Sequence, residues 1–315
     1  MNNGKLQRVI VHIGGHKSGS TSIQDFCSAD KKLLLNSGIF YPANLFKDYP
    51  RQHSHLAKLL IAGDTEVIEE TFSKIVTRAK EAGAHSVFLS GEDLGVMSAR
   101  HISDFAAFCD RYFNERRFVF VARNRRDFVL SSYKHFLRYA RILSEIEFAH
   151  SFSFSPSSVI DNWRANFSLD AVFLHYDEIR NNFVRSFFRE VFALRVDHEN
   201  YSNVSLDFLT SNIFNIFLKE WPSQEVNQIL WRVSCEHTSP MSFAIEERVA
   251  DSLCEMLPAE GWEPIEYQGR RPLSVCKERR QAHHDPIEVC DKMLSLFQQL
   301  RTHFEQCAEK DRNEK

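Results

Sequence analysis

The sequence predicts an α/β fold in which a parallel sheet is flanked by helices, followed by a helical C-terminal portion. Short apolar runs alternate with longer amphipathic segments from residue 8 to about residue 195. Strands that alternate with helices form parallel sheets, because each helix carries the chain back across one face of the sheet. Beyond Asp197 the strand pattern fades and helical spacing takes over. We therefore expect one domain, 1–315, with an α/β core over about 8–195 and a helical cap with C-terminal helices over about 196–315.

The individual elements follow from apolar periodicity and from the residues that stop helices. Strands are expected at 8–13, 85–90, 117–122 and 171–175, with a short strand or extended segment at 39–42. Helices are expected at 22–36, 53–63, 65–82, 98–113, from 127 onward, at 159–167 and at 176–194. In the C-terminal portion, helices are expected at 206–221, 223–233, 242–256 and 287–309, with prolines 222, 240 and 258 as breaks.

Composition excludes several classes of protein. Hydrophobic residues make up 43% of the 315, which is ample for a packed core, and the net charge of −3 argues against a general nucleic-acid binder. No apolar run approaches the ~18 residues that a membrane span needs, and the first residues lack the hydrophobic region of a signal peptide. The seven cysteines never form a C-x-x-C pair, which is typical of reduced thiols in a cytosolic protein. We therefore expect a cytoplasmic protein without an integral membrane segment.

A glycine-rich loop follows the first predicted strand and precedes a predicted helix. It contains three glycines, and the hydroxyl residues 20–22 come directly after it. A strand, a loop and a helix in this order aim backbone N–H groups and the positive end of the helix at one point, where an anion binds. In a nucleotide-hydrolysing P-loop the lysine directly follows the last glycine, but here Ser20 occupies that place and Lys17 lies two residues before Gly19. A lysine inside the loop favours a monoester or diphosphate-like group over a Mg²⁺-bound triphosphate.

The same loop resembles a known family, the sulfotransferases that use 3′-phosphoadenosine 5′-phosphosulfate (PAPS). The 5′-phosphosulfate loop of that family has the pattern K-[ST]-G-[ST]-[ST], and residues 16–22 are HKSGSTS. Gln24 extends the match to the bacterial branch, whose pattern is H-K-[ST]-G-[ST]-[ST]-S-x-Q. The resemblance covers about residues 8–190 and implies a P-loop-NTPase-like sheet. It also implies that the following residues bind PAPS: His16, Lys17, Ser18, Gly19, Ser20, Thr21 and Ser22.

A second group of polar residues follows another predicted strand. Arg123 comes directly after the strand at 117–122, and Ser131 lies eight residues later, about two helical turns along the next helix. Because ligands on open parallel sheets gather at the carboxyl ends of the strands, this segment and the Lys17 loop are expected to share one site. R-N-x-R-D with a serine eight residues after its first arginine is similar to the 3′-phosphate-binding segment of sulfotransferases. The resemblance therefore implies that Arg123 and Ser131 bind the 3′-phosphate, whereas a solvated arginine cluster is the alternative.

Other parts of the chain match the family less closely. His175–Ile179 resembles the family's Y-E-D-L segment, which we interpret as structural. Gly269–Arg271 is a weak candidate for the late basic stretch that also contacts the 3′-phosphate. No tryptophan follows the first loop to stack on adenine, so the adenine contacts stay unassigned.

Three residues are candidates for the base that takes the proton from the acceptor hydroxyl. Glu92 follows the strand at 85–90, which in sulfotransferases delivers an acid or a histidine to the cleft. His53 and His55 are the alternatives, because imidazole titrates near neutral pH. Each of the three has a plainer interpretation as a residue at the start of a helix. His12, inside the first strand, is expected to be a core histidine with a partner, and Lys17 is expected to be catalytic on the leaving group.

The resemblance implies a PAPS-dependent sulfotransferase that moves a sulfuryl group to a hydroxyl or amine of an acceptor. A carbohydrate, a glycolipid headgroup and a small hydroxylated metabolite are all open as acceptors, and the oligomeric state is left open. No metal is expected, because a sulfuryl group carries less negative charge than a phosphoryl group, and His283–His284 has no cysteine or carboxylate at ligand spacing. The alternatives are a P-loop kinase or NTPase and a catalytically inactive, sulfotransferase-like binding protein.

Overall fold

A computed structural model describes residues 4–15, 17–46, 50–138, 144–197, 240–260 and 262. The helices predicted at 206–221, 223–233 and 287–309 lie outside these residues, as does the basic stretch 269–271. In the part of the chain that the structure describes, no helix has the length and apolar character that a membrane span requires.

Five strands in the described residues form one parallel sheet, which confirms the predicted α/β class. They are β1 (Leu6–His12), β2 (Ile39–Phe40), β3 (Ser86–Ser90), β4 (Phe113–Ala122) and β5 (Ala171–His175). Their spatial order is β2-β3-β1-β4-β5, and every neighbouring pair runs parallel. β1 is therefore the central strand, with Val9 opposite Val87 on one side and Arg116 on the other. The sequence of β1 is nearly continuously apolar because helices cover both faces of the sheet at this strand.

Helices connect the strands and cover both faces of the sheet. Those before β4 are α1 (Ser20–Ala29), α2 (Lys31–Asn36), α3 (His55–Ala62), α4 (Thr65–Glu81) and α5 (Ala99–Tyr112). Those after β4 are α6 (Arg125–Arg138), α7 (Glu145–Ser151), α8 (Pro156–Asn166), α9 (Tyr176–Ile179), α10 (Phe183–Phe192) and α11 (Pro240–Met256). Single 3-10 turns occur at Glu92–Leu94 and Arg180–Asn182.

Alternate residues of β1 face two separate apolar clusters. Val9 and Val11 pack with residues of α3, α4, α5 and α8, among them the fully buried Phe105 and Trp163. Ile10 packs on the opposite face with residues of α1 and α10. The period-two alternation of a strand thus divides the core into two layers, one on each side of the sheet.

Some predicted boundaries were wrong, and each has a local cause. The helix expected at 22–36 is two helices, α1 and α2, which are separated at Asp30 (φ −105°, ψ 41°). Aspartate favours such breaks because its side chain competes for backbone N–H groups. The helix expected at 176–194 is likewise divided, by the turn at Arg180–Asn182. β4 begins at Phe113, four residues before the predicted start, because the polar run from 114 to 117 hides its first half.

The described chain divides into two compact units. The first contains the described residues up to Phe128, those from Ser153 to Asp197, and 258–262, and it holds all five strands. The second contains Val129–Phe152 and the described residues from Pro240 to Leu257. Within the second unit α11 packs against α7, and Ser252 Oγ donates a hydrogen bond of 2.5 Å to Glu145 Oε2. That the whole chain is a single domain stays a prediction.

Candidate functional site

The strand order creates a natural place for a ligand at the carboxyl end of β1. From β1 the chain builds the sheet to one side through β2 and β3 and to the other through β4 and β5. Ligands on open parallel sheets bind outside the strand ends at such a switch point. The loop containing Lys17 follows β1, Glu92 follows β3, and Arg123 follows β4. The three segments singled out in the sequence therefore follow three adjacent strands.

The loop after β1 is held in an unusual backbone conformation by its own hydrogen bonds. Gly14 (φ +55°), Lys17 (φ +65°) and Gly19 (φ +86°) all lie in the left-handed region, which is uncommon for a lysine. Ser18 is fully buried, and its Oγ donates to Gly15 O while accepting from Gly15 N at 3.1 Å. The Ser18 side chain thus closes the loop on itself. His16 lies outside the described residues.

The first turn of α1 presents a buried hydroxyl that lacks a hydrogen-bond partner. Gly19 is the N-cap, so no side chain caps the helix. Ser20 is 2% exposed, and its Oγ has no partner among the described residues. Thr21 and Ser22 beside it are half-buried. A buried hydroxyl without a partner is costly, so this one is suited to a polar ligand at the positive end of the helix.

Arg123 lies directly against the loop. Its Nη1 donates a hydrogen bond of 2.8 Å to the carbonyl oxygen of Lys17, and its guanidinium carbon lies 5.3 Å from the centre of the Tyr176 ring. Its Nε is buried and has no hydrogen-bond partner in the described part of the chain. Two residues that lie 106 positions apart in the sequence are thereby brought into contact, and the Nε–H of Arg123 is available to a ligand.

The segment around Arg123 is anchored by a network of carboxylates. Asn124 caps α6 through its Oδ1, which accepts from Asp127 N at 2.9 Å, and its Nδ2 donates to Asp127 Oδ2 at 3.0 Å. The backbone N–H of Asn124 donates to Asp177 Oδ2 at 2.8 Å. Asp177 therefore has the structural role predicted for its segment. Tyr176 goes beyond that prediction, since its ring packs on the Arg123 guanidinium; an aromatic residue directly after a strand was the available signal.

Glu92 lies beside the glycine loop. A Cβ atom on Gly14 would lie 3.3 Å from Glu92 Cγ and 3.0 Å from Ser20 Oγ. The half-buried side chain of Glu92 and the Ser20 hydroxyl, which has no partner among the described residues, therefore both lie next to Gly14. Among the three candidate bases, this contact places Glu92 next to the loop.

His53 occupies an interior position with both ring nitrogens used. The backbone N–H of Ser90 donates to His53 Nδ1 at 3.0 Å, and His53 Nε2 lies 3.3 Å from Pro42 O, to which it donates. Burial lowers the pKa of His53 to about 4, against a smaller raising effect from its backbone hydrogen bonds. These contacts give His53 a structural role, and its role as a catalytic base stays a prediction. His55 is half-buried, with its ring 4.6 Å from that of Phe46.

His12 has the partner expected of a core histidine, but only at one nitrogen. Its Nδ1 lies 2.9 Å from Ser90 Oγ, and its Nε2 is buried without a hydrogen-bond partner in the described residues. Burial lowers the pKa of His12 to about 4, and the negative charge of Glu92 opposes that shift. The imidazole is therefore neutral at physiological pH.

Ser131 is buried, with 9% of its surface exposed, and lies on α6 in the second unit. Its pairing with Arg123 at a 3′-phosphate stays a prediction from sequence spacing. Within the residues that the structure describes, no group of three or more histidine, cysteine, aspartate or glutamate side chains converges as metal ligands would.

A comparison with solved structures finds a sulfotransferase. It comes from Alicyclobacillus acidocaldarius, is 12% identical, and matches over 80% of this chain and 97% of its own with a TM-score of 0.38. No family model and no curated protein matches the sequence. The function of the chain is therefore inferred from its own residues.

Proposed function

We propose that this protein is a PAPS-dependent sulfotransferase that transfers a sulfuryl group to a hydroxyl of an acceptor. The observation that carries the proposal is the contact between Arg123 and the Lys17 loop, with two buried polar atoms beside it that lack partners among the described residues. Ser20 Oγ and Arg123 Nε are suited to phosphate oxygens, because buried polar groups are otherwise almost always paired. A nucleotide with phosphates at both its 5′ and 3′ positions supplies acceptors for the two.

Different residues of the site bind the two phosphates and stabilise the leaving group. Backbone N–H groups and hydroxyls at the start of α1, from Gly19 to Ser22, bind the 5′-phosphate. Arg123 offers a charged donor to the 3′-phosphate, with Ser131 as the predicted second donor. Lys17 carries the positive charge nearest the bond that breaks. Its ammonium stabilises the negative charge that develops on the bridging oxygen as adenosine 3′,5′-bisphosphate leaves.

The transfer itself is an in-line displacement at sulfur. Glu92 accepts the proton of the acceptor hydroxyl, and the acceptor oxygen forms a bond to sulfur while the bond from sulfur to the bridging phosphate oxygen breaks. The electron pair of that bond remains on the departing bisphosphate, beside Lys17. Positioning and charge stabilisation supply most of the catalysis in such transfers. Carbohydrates, glycolipid headgroups and small hydroxylated metabolites remain candidate acceptors.

The direct test is incubation with isotopically labelled PAPS and a panel of hydroxylated acceptors, read by mass spectrometry. We expect a sulfated product from the wild-type protein and a turnover at least about 100-fold lower from Lys17→Ala, since removing one charge stabiliser typically has such an effect. Lys74→Ala is the matched control, because Lys74 pairs with Glu70 on the exposed face of α4. Near-normal turnover of Lys17→Ala would reject the assignment. Thermal stabilisation by Mg²⁺-ATP and not by PAPS would favour a kinase or NTPase.

A further inference from the structure

A buried chain of polar side chains lies at the carboxyl ends of β1 and β3 and next to the glycine loop. Gln24 Nε2, on α1, donates to Ser90 Oγ at 3.2 Å, and Ser90 Oγ lies 2.9 Å from His12 Nδ1. Ser90 and His12 are fully buried and Gln24 is 7% exposed. The proposed binding residues do not include any of the three, so the network calls for another explanation.

The hydrogen bonds of this network favour one of the two neutral tautomers of His12. In the described part of the chain, Ser90 Oγ bonds only to Gln24 Nε2 and His12 Nδ1. Ser90 Oγ accepts from the amide of Gln24, and its own hydroxyl hydrogen finds an acceptor among the described residues only if His12 Nδ1 carries no hydrogen. A neutral imidazole that accepts at Nδ1 has its hydrogen on Nε2. His12 therefore presents an N–H donor, which is buried and has no partner among the described residues.

The position of Glu92 makes its carboxylate the natural acceptor for this donor. His12 pairs with Ser90 in the register of β1 and β3, and Gly91 N donates to His12 O at 3.0 Å, so Glu92 begins two residues beyond that pair. The side chain of Glu92 then passes Gly14, which is two residues beyond His12. The charge of Glu92 also acts on the His12 ring. The other close group is Phe187, whose ring lies 5.3 Å away in an edge-to-face arrangement.

We propose that His12 is a positioning residue whose Nε2–H donates to one carboxylate oxygen of Glu92. This bond fixes the carboxylate so that its second oxygen faces the acceptor hydroxyl, and Gln24 and Ser90 hold the imidazole in the required tautomer. The structure does not show this hydrogen bond, since His12 Nε2 has no partner among the described residues. The bond is inferred from the positions of the two residues, and its role in orienting the base rests on the proposed function. His12 stays neutral throughout and transfers no proton.

The contact is tested first in the protein without substrate, by ¹⁵N NMR of the histidine rings. The signals of His12 are those lost in His12→Gln. We expect Nε2 to be protonated, and we expect its ¹H and ¹⁵N shifts to change in Glu92→Gln but not in Asp93→Asn, which alters the neighbouring carboxylate. A proton on Nδ1, or His12 shifts that do not change in Glu92→Gln, would overturn the proposal. Phe187 or a ligand oxygen would then be the partner of His12 Nε2.

The role is tested by two variants that each keep one nitrogen of the ring. Asparagine at position 12 places an amide near Nδ1, whereas glutamine places one near Nε2. We expect His12→Asn to lower the turnover at saturating PAPS by about 10-fold or more with the PAPS Kd unchanged, and His12→Gln to retain most of it. In a Glu92→Ala background neither variant should lower the rate further. Equal losses from the two variants, or losses that add to that of Glu92→Ala, would contradict a role exerted through Glu92.

These outcomes separate the inference from the proposed function. A wild-type protein that transfers no sulfuryl group from PAPS overturns the proposed function, while the NMR experiment still decides whether His12 and Glu92 are in contact. If the wild type is active and the His12 variants have the same turnover as the wild type, the inference is overturned and the proposed function remains in place.

Discussion

Arg123 shows how one residue serves both the fold and the candidate site. One of its donors binds the carbonyl of Lys17, its planar face packs on Tyr176, and its Nε remains buried without a partner among the described residues. Lysine has a single ammonium and no planar face, so it cannot make these contacts together. A sequence pattern indicated the arginine as a phosphate ligand, but its bond to the loop carbonyl depends on the folded chain.

At the residue scale, the buried histidines predict how stability depends on pH. The pKa of His53 is lowered from 6.5 to about 4 by burial, so the unfolded state binds more protons than the folded state between these values. Stability is therefore lost as the pH falls through this window. From pH 7 to pH 5 the contribution of His53 is about 2 kcal/mol, and His12, with its pKa also about 4, adds a similar amount.

Urea unfolding of the wild type and of His53→Asn at pH 7 and pH 5 measures this effect. Asparagine retains an acceptor for Ser90 N but does not titrate, so the variant should lose about 2 kcal/mol less than the wild type between the two pH values. His150→Gln, at an exposed position on α7, is the control and should follow the wild type. Parallel pH dependence in His53→Asn and the wild type would show that His53 does not titrate in this window.

At the scale of elements, the glycine loop joins β1 to α1 in a way that only glycine permits at position 19. Its φ of +86° is left-handed, and a Cβ there would lie 2.5 Å from Phe183 Cε1 and 2.9 Å from Tyr176 Cε2. The loop is therefore pressed against the start of α10 and the residue that follows β5. This packing sets where the uncapped start of α1 lies relative to Arg123.

Gly19→Ala should accordingly destabilise the protein more than Gly63→Ala does. Gly63 also has a left-handed φ, of +76°, but a Cβ there meets nothing within 4 Å. Both substitutions cost about 1–2 kcal/mol of backbone strain, and Gly19→Ala adds about 1–3 kcal/mol of overpacking. Urea unfolding measures the two changes. Equal losses of unfolding free energy in the two variants would mean that the side chains of Phe183 and Tyr176 move aside at no energetic cost.

The loop between β4 and α6 depends on a carboxylate from the end of β5. Asp177 accepts the backbone N–H of Asn124, directly after Arg123. We expect Asp177→Ala to lower the free energy of unfolding by about 1 kcal/mol and to weaken the binding of adenosine 3′,5′-bisphosphate, whereas Asp177→Asn retains an acceptor and most of both properties. Glu178→Ala is the control, because Glu178 is exposed. Equal affinities of Asp177→Ala and Asp177→Asn for adenosine 3′,5′-bisphosphate in a calorimetric titration would show that the Asp177 acceptor does not support the site.

The sequence predicted elements well where their signal is local. Apolar runs located all five strands of the described residues, and the helix expected from 127 onward is α6, which begins two residues earlier at Arg125. α7 was missed although Ser144 and Glu147 form a capping box, because its apolar positions are few. The division of α1 from α2 at Asp30 was also missed, since a single polar residue does not distinguish a break from an exposed turn.

At the scale of the whole molecule, the strand order brings the candidate site together. β1 lies between β3 and β4, so the segments that carry Lys17, Glu92 and Arg123 follow adjacent strands. Sequence reasoning placed each of them at a strand end but did not give the order of the strands, because it is decided by packing between distant segments. The same limit explains why the His12–Ser90–Gln24 network and the packing of Tyr176 on Arg123 were not predicted. These contacts join residues that are far apart in the sequence.

The central claim is that one nucleotide is held at its 5′-phosphate by the glycine loop and at its 3′-phosphate by Arg123. Calorimetric titration of the wild type and Arg123→Lys with adenosine 3′,5′-bisphosphate and with 5′-AMP tests it most directly. Arg117→Lys is the control, because Arg117 lies in the middle of β4 and pairs with Asp170. We predict that Arg123→Lys weakens the bisphosphate about 10-fold more than it weakens 5′-AMP, since only the former has a 3′-phosphate. Equal weakening of the two ligands, or tighter binding of Mg²⁺-ATP than of the bisphosphate, would contradict the account.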